Sequence, residues 1–199
     1  IYQSDESFDF GQTMTVTVAA DDLAGNSTGQ YSYSFKTKMR SFGENTIVNS
    51  DTSLPSDSPG TVSDSSGNIW VIWHSGAAGS RNVYFAERAA DADNFSNAVQ
   101  LTSGGADQCN PAIAIANDGK LYAVWQDNRN EDWDIYLKTS NDGASWSSDI
   151  KVSDTNDNQR NPAIVVDNSS PANAYIFWED NRNGNQDIYV ASSGTDFAA

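Results

Sequence analysis

The chain is poor in the residue types that most often announce chemistry. It holds one cysteine, Cys109, and one histidine, His74, in 199 residues. A single thiol cannot close an internal disulfide, so cysteine usage sets no redox compartment. A lone histidine excludes a three-histidine zinc site, and no Ser or Cys nucleophile has a legible partner. Basic residues are scarce as well: 11 Lys and Arg stand against 27 Asp and Glu, a formal charge of −16. Such a surface repels phosphate backbones and excludes nucleic acid as a partner. No apolar run reaches the length of about 18 residues that a membrane span needs. The opening IYQSDESFDF lacks the basic start and apolar core of a signal peptide, so the chain is expected to be the interior of something longer. Helical periodicity of useful length is missing throughout, while aromatics make up 11% of residues, too many for a disordered chain.

What is present is a repeat. NPAIAIANDGKLYAVWQDNRNEDWDIY begins at Asn110, and NPAIVVDNSSPANAYIFWEDNRNGNQDIY begins at Asn161. Pro111 and Pro162 lie 51 apart, Trp125 and Trp178 53 apart, and Asp134 and Asp187 53 apart. A fainter upstream copy carries Pro59, Trp73 and Tyr84, with Trp73 52 residues before Trp125. A period near fifty signals stacked supersecondary units. In the middle copy Pro111–Ala116, Leu121–Gln126, Asp134–Thr139 and Asp149–Ser153 read as four short strands, the first two joined by an Asn117-Asp118-Gly119 hairpin. Asn45–Ser50 (NTIVNS) matches a fourth strand, and the last copy stops after its third, at Val190–Ser192. The expected fold is all-β: propeller blades of four strands and about 52 residues, three copies visible over residues 41–199. Three blades are too few to close a ring, so the segment is expected to be a fragment of a larger propeller or to be completed by another chain.

Residues 1–40 differ. MTVTVAA (Met14–Ala20) and QYSYSFKTK (Gln30–Lys38) alternate as strands around the turn-rich DDLAGNSTG. Val16, Val18, Asp22, Leu23, Ala24, Gly25, Asn26, Tyr31, Phe35 and Thr37 resemble the closing strands of a bacterial Ig-like domain. Downstream, TSNDGASW (Thr139–Trp146) resembles the Asp-box of sialidase-like propellers, with Thr139, Gly143 and Trp146 in place and Asn141 where that family has Asp. The resemblance implies a structural role for this box, Trp146 filling the space between blades. RAADADNF (Arg88–Phe95) and SSGTDF (Ser192–Phe197) are eroded versions. The W-x-D-N-R-N…D-I-Y signature, Trp125 to Tyr136 and Trp178 to Tyr189, looks like the blade repeat of secreted bacterial surface proteins related to sialidases and resembles TolB-type propellers.

Candidate sites follow from the loops. Those joining second to third strands share a face with those joining fourth to first, and the face carries Asp127, Arg129, Arg160, Asp180 and Arg182 as candidate ligand-binding residues. Within one hairpin an Arg flanked by two Asp equally serves as a structural tie. Asp154, Asn156 and Asn158 place oxygens at alternate positions, an incomplete calcium-loop pattern that makes calcium the one candidate cofactor. His74 reads as a surface hairpin residue and Cys109 as a small packed one. Three functions compete. A non-catalytic extracellular or cell-surface module binding a glycan or surface protein is the leading expectation, carried by the Ig-like ending and the missing active-site constellation. A sialidase-like glycoside hydrolase, with Arg129, Arg160 and Arg182 around a substrate carboxylate, is the alternative. A structural subunit of a surface filament or layer, self-associating through open blade edges, is the third.

Overall fold

The computed structural model describes residues 13–21, 24–25, 27–36, 45–49, 51–153, 155–167 and 169–193. The chain divides into two compact units, residues 1–46 and 47–199. Among the described residues every regular element is a strand.

The first unit contains one antiparallel hairpin, β1 (Thr13–Asp21) with β2 (Ser27–Lys36). Tyr31, Tyr33 and Phe35 alternate along β2 as the sequence predicts, and all three are exposed. Asp22, Leu23, Asn26 and Thr37 of the Ig-like resemblance lie outside the described residues.

The second unit is three antiparallel sheets in simple meander order. β3 (Ser56–Ser63), β4 (Ile69–Ser75), β5 (Asn82–Arg88) and β6 (Val99–Gln100) form the first. β7 (Gln108–Ile115), β8 (Leu121–Asn130), β9 (Asp132–Ser140) and β10 (Ile150–Lys151) form the second. β11 (Gln159–Val166), β12 (Ala174–Asp180) and β13 (Asp187–Ser192) form the third. The repeat of the sequence is thus a repeat of sheets. Asn117-Asp118-Gly119 makes the expected tight turn, with Gly119 at φ 89° and its N–H bonded to the Ala116 carbonyl.

Period-two alternation gives each sheet two apolar faces. Trp70, Ile72, Val83 and Phe85 of the first sheet pack on Ile113, Leu121, Ala123, Trp125 and Tyr136 of the second. The opposite face of the second sheet, with Tyr122, Val124, Ile135 and Leu137, packs on Ala174, Ile176 and Trp178 of the third. The first strands β3, β7 and β11 lie side by side, while β6 and β10 occupy the far sheet edges. Small residues permit that approach: a Cβ on Gly60 would stand 3.5 Å from the Pro111 carbonyl oxygen and 3.6 Å from the Ala112 Cα. Ala112 and Ala163 hold the equivalent positions.

One expected strand does not form. Residues 45–49 form no strand, and Ser50 lies outside the described residues. A fourth strand needs a third to pair with, and in the first sheet β6 already pairs with β5. The innermost strands also begin earlier than predicted: β7 starts at Gln108, three residues before Pro111. A register break between Cys109 and Ala112 absorbs the proline, and β3 and β11 break at the matching step.

Candidate functional site

The sheet motif W-x-D-N-R-N folds into a local tie. Asp127 is fully buried. Its carboxylate accepts the Trp125 indole N–H at 3.2 Å, the Arg129 backbone N–H at 2.9 Å, and the Arg129 guanidinium through Nε at 2.9 Å. The guanidinium lies 4.3 Å from the centre of the Tyr136 ring, which stacks on Trp125. Asp180, Trp178, Arg182 and Tyr189 repeat the arrangement, with the guanidinium 4.0 Å from the ring centre. Burial of Asp180 opposes its charge. The bonds from Arg182 and Trp178 outweigh burial and hold its carboxyl below the ordinary aspartate range. Asn130 and Asn183 complete each tie by donating to Asp134 and the Tyr136 hydroxyl, and to Asp187 and the Tyr189 hydroxyl.

The five sequence-predicted ligand residues are therefore not gathered into one site. Asp127 with Arg129, and Asp180 with Arg182, are separate pairs within their own sheets. Arg129 also reaches Asp149 at 2.6 Å, just ahead of β10, so its charge points to the outer edge of the sheet. Arg160 lies in the same sheet as the second pair, at the start of β11 opposite Glu179, but its guanidinium stands 5.5 Å from the centre of the Trp133 ring of the second sheet.

The remaining candidates have structural surroundings. In the Asp-box-like loop the folding carboxylate is Asp142, one residue beyond Asn141, and it accepts N–H bonds from Ala144 and Ser145 at 2.9 and 2.7 Å. Ser140, next to Thr139, caps the Gly143 N–H, and Gly143 takes φ 71°. Trp146 donates to the Gly143 carbonyl and meets Phe85 of the first sheet edge-on at 5.2 Å. Of the calcium candidates, Asp154 lies outside the described residues. Asn156 is exposed, and the Asn158 side chain accepts from the Trp133 N–H. Among the described residues no group of three His, Cys, Asp or Glu side chains could hold a metal ion.

What the sequence did not reveal is an axial cluster where β3, β7 and β11 begin. Ser58, Asn110 and Asn161, 52 and 51 residues apart in sequence, take left-handed backbone conformations at φ 53°, 51° and 53°. Their side chains form a ladder, Ser58 to Asn110 at 3.4 Å and Asn110 to Asn161 at 2.9 Å. Each sheet is clipped to the next by the second-strand residue one place after the repeat tryptophan. His74 Nδ1 accepts the Asn110 N–H at 3.3 Å, and Gln126 Oε1 accepts the Asn161 N–H at 2.9 Å. His74 is buried, not a surface hairpin residue, and that burial together with the Arg81 charge outweighs Asp57 and Asp107, so its pKa lies below the ordinary value. A neutral ring is what lets Nδ1 accept. Cys109 lies between these clips, and burial pushes its thiol up to about 11, which makes it a packed residue and no nucleophile. The mouth of this cluster carries the exposed Asp57 carboxylate, bonded locally to the Ser58 N–H at 2.6 Å, and the Arg160 guanidinium against Trp133. The signal for the ladder was present in the repeat, as the residue just before each proline; nothing in composition marked its backbone.

No model of a known protein family matches the sequence, and no curated protein matches it. Solved structures do. An endo-arabinase from Bacteroides thetaiotaomicron superposes with TM-score 0.52 at 12% identity, covering 95% of this chain and 74% of its own. A Hadza microbial sialidase gives 0.51 at 13%, covering 72% and 36%. The catalytic domain of Coprinopsis cinerea GH62 α-L-arabinofuranosidase gives 0.50 at 16%, covering 73% and 48%. The fold is a propeller-like one shared with glycoside hydrolases. This chain spans less than half the length of the sialidase and the arabinofuranosidase. The expectation of a non-catalytic module is corrected by these neighbours, all of them glycan-cleaving enzymes. It rested on the Ig-like ending and on the lack of a legible constellation in the sequence. In this fold residues about fifty apart, such as Ser58, Asn110 and Asn161, are brought together one sheet at a time, which no contiguous motif announces.

Proposed function

We propose that this chain is part of a glycoside hydrolase of the propeller type, with its sugar site at the mouth where β3, β7 and β11 begin. The supporting observation is the fold shared with the endo-arabinase, sialidase and arabinofuranosidase structures. Glycosidases of the common kind need two carboxyl groups flanking the scissile bond. Asp57 is assigned to one of these roles, as the exposed carboxylate of the innermost strand at that mouth. The second belongs to the sheets that complete the ring. The exposed Asn161 amide at the end of the ladder presents hydrogen-bonding groups suited to sugar hydroxyls, and the neighbouring Arg160 stands over Trp133. A formal charge of −16 repels a carboxylate-bearing sugar, so a neutral glycan is the expected substrate.

The test is turnover of a fluorogenic arabinofuranoside and a fluorogenic sialoside by the protein with its ring complete, for the parent and for Asp57→Asn and Arg160→Ala. The expected result is hydrolysis of the arabinofuranoside, lost in Asp57→Asn with the melting temperature unchanged. Turnover that survives Asp57→Asn removes the assigned residue. Sialoside hydrolysis abolished by Arg160→Ala would instead make the substrate acidic.

A further inference from the structure

The three sheets share one plan, but the third leaves it unfinished in three ways. Its outer face is apolar and open. Phe177, Ile188 and Val190 are 39%, 72% and 54% exposed, whereas their counterparts Val124, Ile135 and Leu137 in the second sheet are all 0%. Its outer edge is also open. β5 pairs with β6 and β9 with β10, while among the described residues β13 pairs only with β12. Finally, its clip is unfilled. Glu179 occupies the place of His74 and Gln126, yet among the described residues its carboxylate accepts from the Gln186 side chain of its own hairpin, at 3.2 Å, and not from a following sheet.

The first sheet offers the complement of each feature. Its outer face carries the half-buried Val71 and Tyr84 beside the buried Trp73, over which Val48, Asn49, Asp51 and Leu54 lie; these are counterparts of Ala123, Tyr136 and Trp125, which pack against the preceding sheet elsewhere in the array. Residues 47–49 stand ahead of it without a strand partner, and Ile47 is 69% exposed. Val48 precedes Pro59 by 11 residues, as Leu101 precedes Pro111 by 10 and Val152 precedes Pro162 by 10. Leu101 and Val152 donate their N–H groups to the carbonyls of Val83 and Ile135, each at 2.8 Å, and the next carbonyl in that series is Ile188. Ser58, with the same left-handed backbone as Asn110 and Asn161, has its N–H capped, among the described residues, by its neighbour Asp57. An apolar cavity of about 170 Å³ lies over Trp73, lined by Val48, Pro59 and Val71.

We propose that a second copy of this chain docks its first sheet on the open face of the third, adding residues 47–49 as the missing fourth strand beside β13. Glu179 then accepts the Ser58 N–H of the second copy. The contact is head-to-tail, and two such contacts close a ring of about six sheets, within the four-to-eight range of closed propellers. The occupant is identified by continuity: each feature it must satisfy is already satisfied twice inside one chain. The proposal stands independently of the reaction assigned above.

Light scattering of the full chain, across a dilution series, tests it. Twice the chain mass is expected, falling to one chain mass for Ile188→Glu and for Val48→Asp, with amide exchange at residues 47–49 and at the outward-facing amides of residues 188 and 190 protected only in the parent. Ile188 and Val48 sit outside the single-chain core, so both variants should retain the parent's strand content by circular dichroism. A parent that stays at one chain mass overturns the proposal and leaves the face to a further sheet of a longer polypeptide. A two-chain mass unmoved by Ile188→Glu overturns it equally, because the copies would then meet elsewhere.

Discussion

The second and third sheets carry nearly the same sequence pattern and nearly the same internal bonds, yet their outer faces live in different media. Trp125–Asp127–Arg129–Tyr136 and Trp178–Asp180–Arg182–Tyr189 each join indole, carboxylate and guanidinium in the same order. Val124, Ile135 and Leu137 are sealed between sheets, while Phe177, Ile188 and Val190 face solvent. The tie is thus a property of one hairpin, and burial is a property of the stack. Pattern in the sequence speaks to the first and cannot speak to the second.

That contrast can be broken or sharpened by substitution. The largest difference should come from Leu137→Ala against Val190→Ala, both made in the Ile188→Glu background that isolates the single chain. Removing a fully packed leucine should cost about 2–5 kcal/mol, while the exposed valine should change stability by no more than about 0.5 kcal/mol, as read from urea unfolding. Equal losses would mean that the third sheet is covered in the single chain. Next, Asp127→Ala and Asp180→Ala should each cost about 2–3 kcal/mol, because each strands an indole N–H and a half-buried guanidinium. The two should match closely. A loss at Asp127 several times that at Asp180 would show that the tie depends on its neighbours after all.

The smallest effect distinguishes the clips. The pKa of His74 lies below its ordinary 6.5 in the folded chain. Folding therefore favours the neutral ring, so its contribution is complete above 6.5 and is lost as pH falls below that value toward the folded-state pKa. His74→Gln installs the residue found at the equivalent clip, Gln126. Melting temperatures at about pH 5 and about pH 7.5 should converge in this variant relative to the parent. An unchanged pH response would place the titration elsewhere.

The repeat frame, the all-β class and the Asn117-Asp118-Gly119 turn were legible because they depend on local alternation and turn chemistry. The own-sheet tie was legible as one of two readings of Asp127 and Arg129. The clip was not. His74, Gln126 and Glu179 share a position but no residue type, and what unites them is a lone pair aimed at the next sheet's backbone. The left-handed steps at Ser58, Asn110 and Asn161 were equally hidden, since none is a glycine. Residues 45–49 have strand-like sequence without strand structure, because a strand exists only where an edge receives it.

The clips all run one way, from the second strand of one sheet to the first strand of its successor. Such an array has a direction, like a row of hooks and eyes, so a sheet can be appended or copied only in the existing orientation. Reversing one unit would set hook against hook and leave two backbone amides stranded at the axis. Growth by tandem duplication, and no other shuffling, is what this wiring admits.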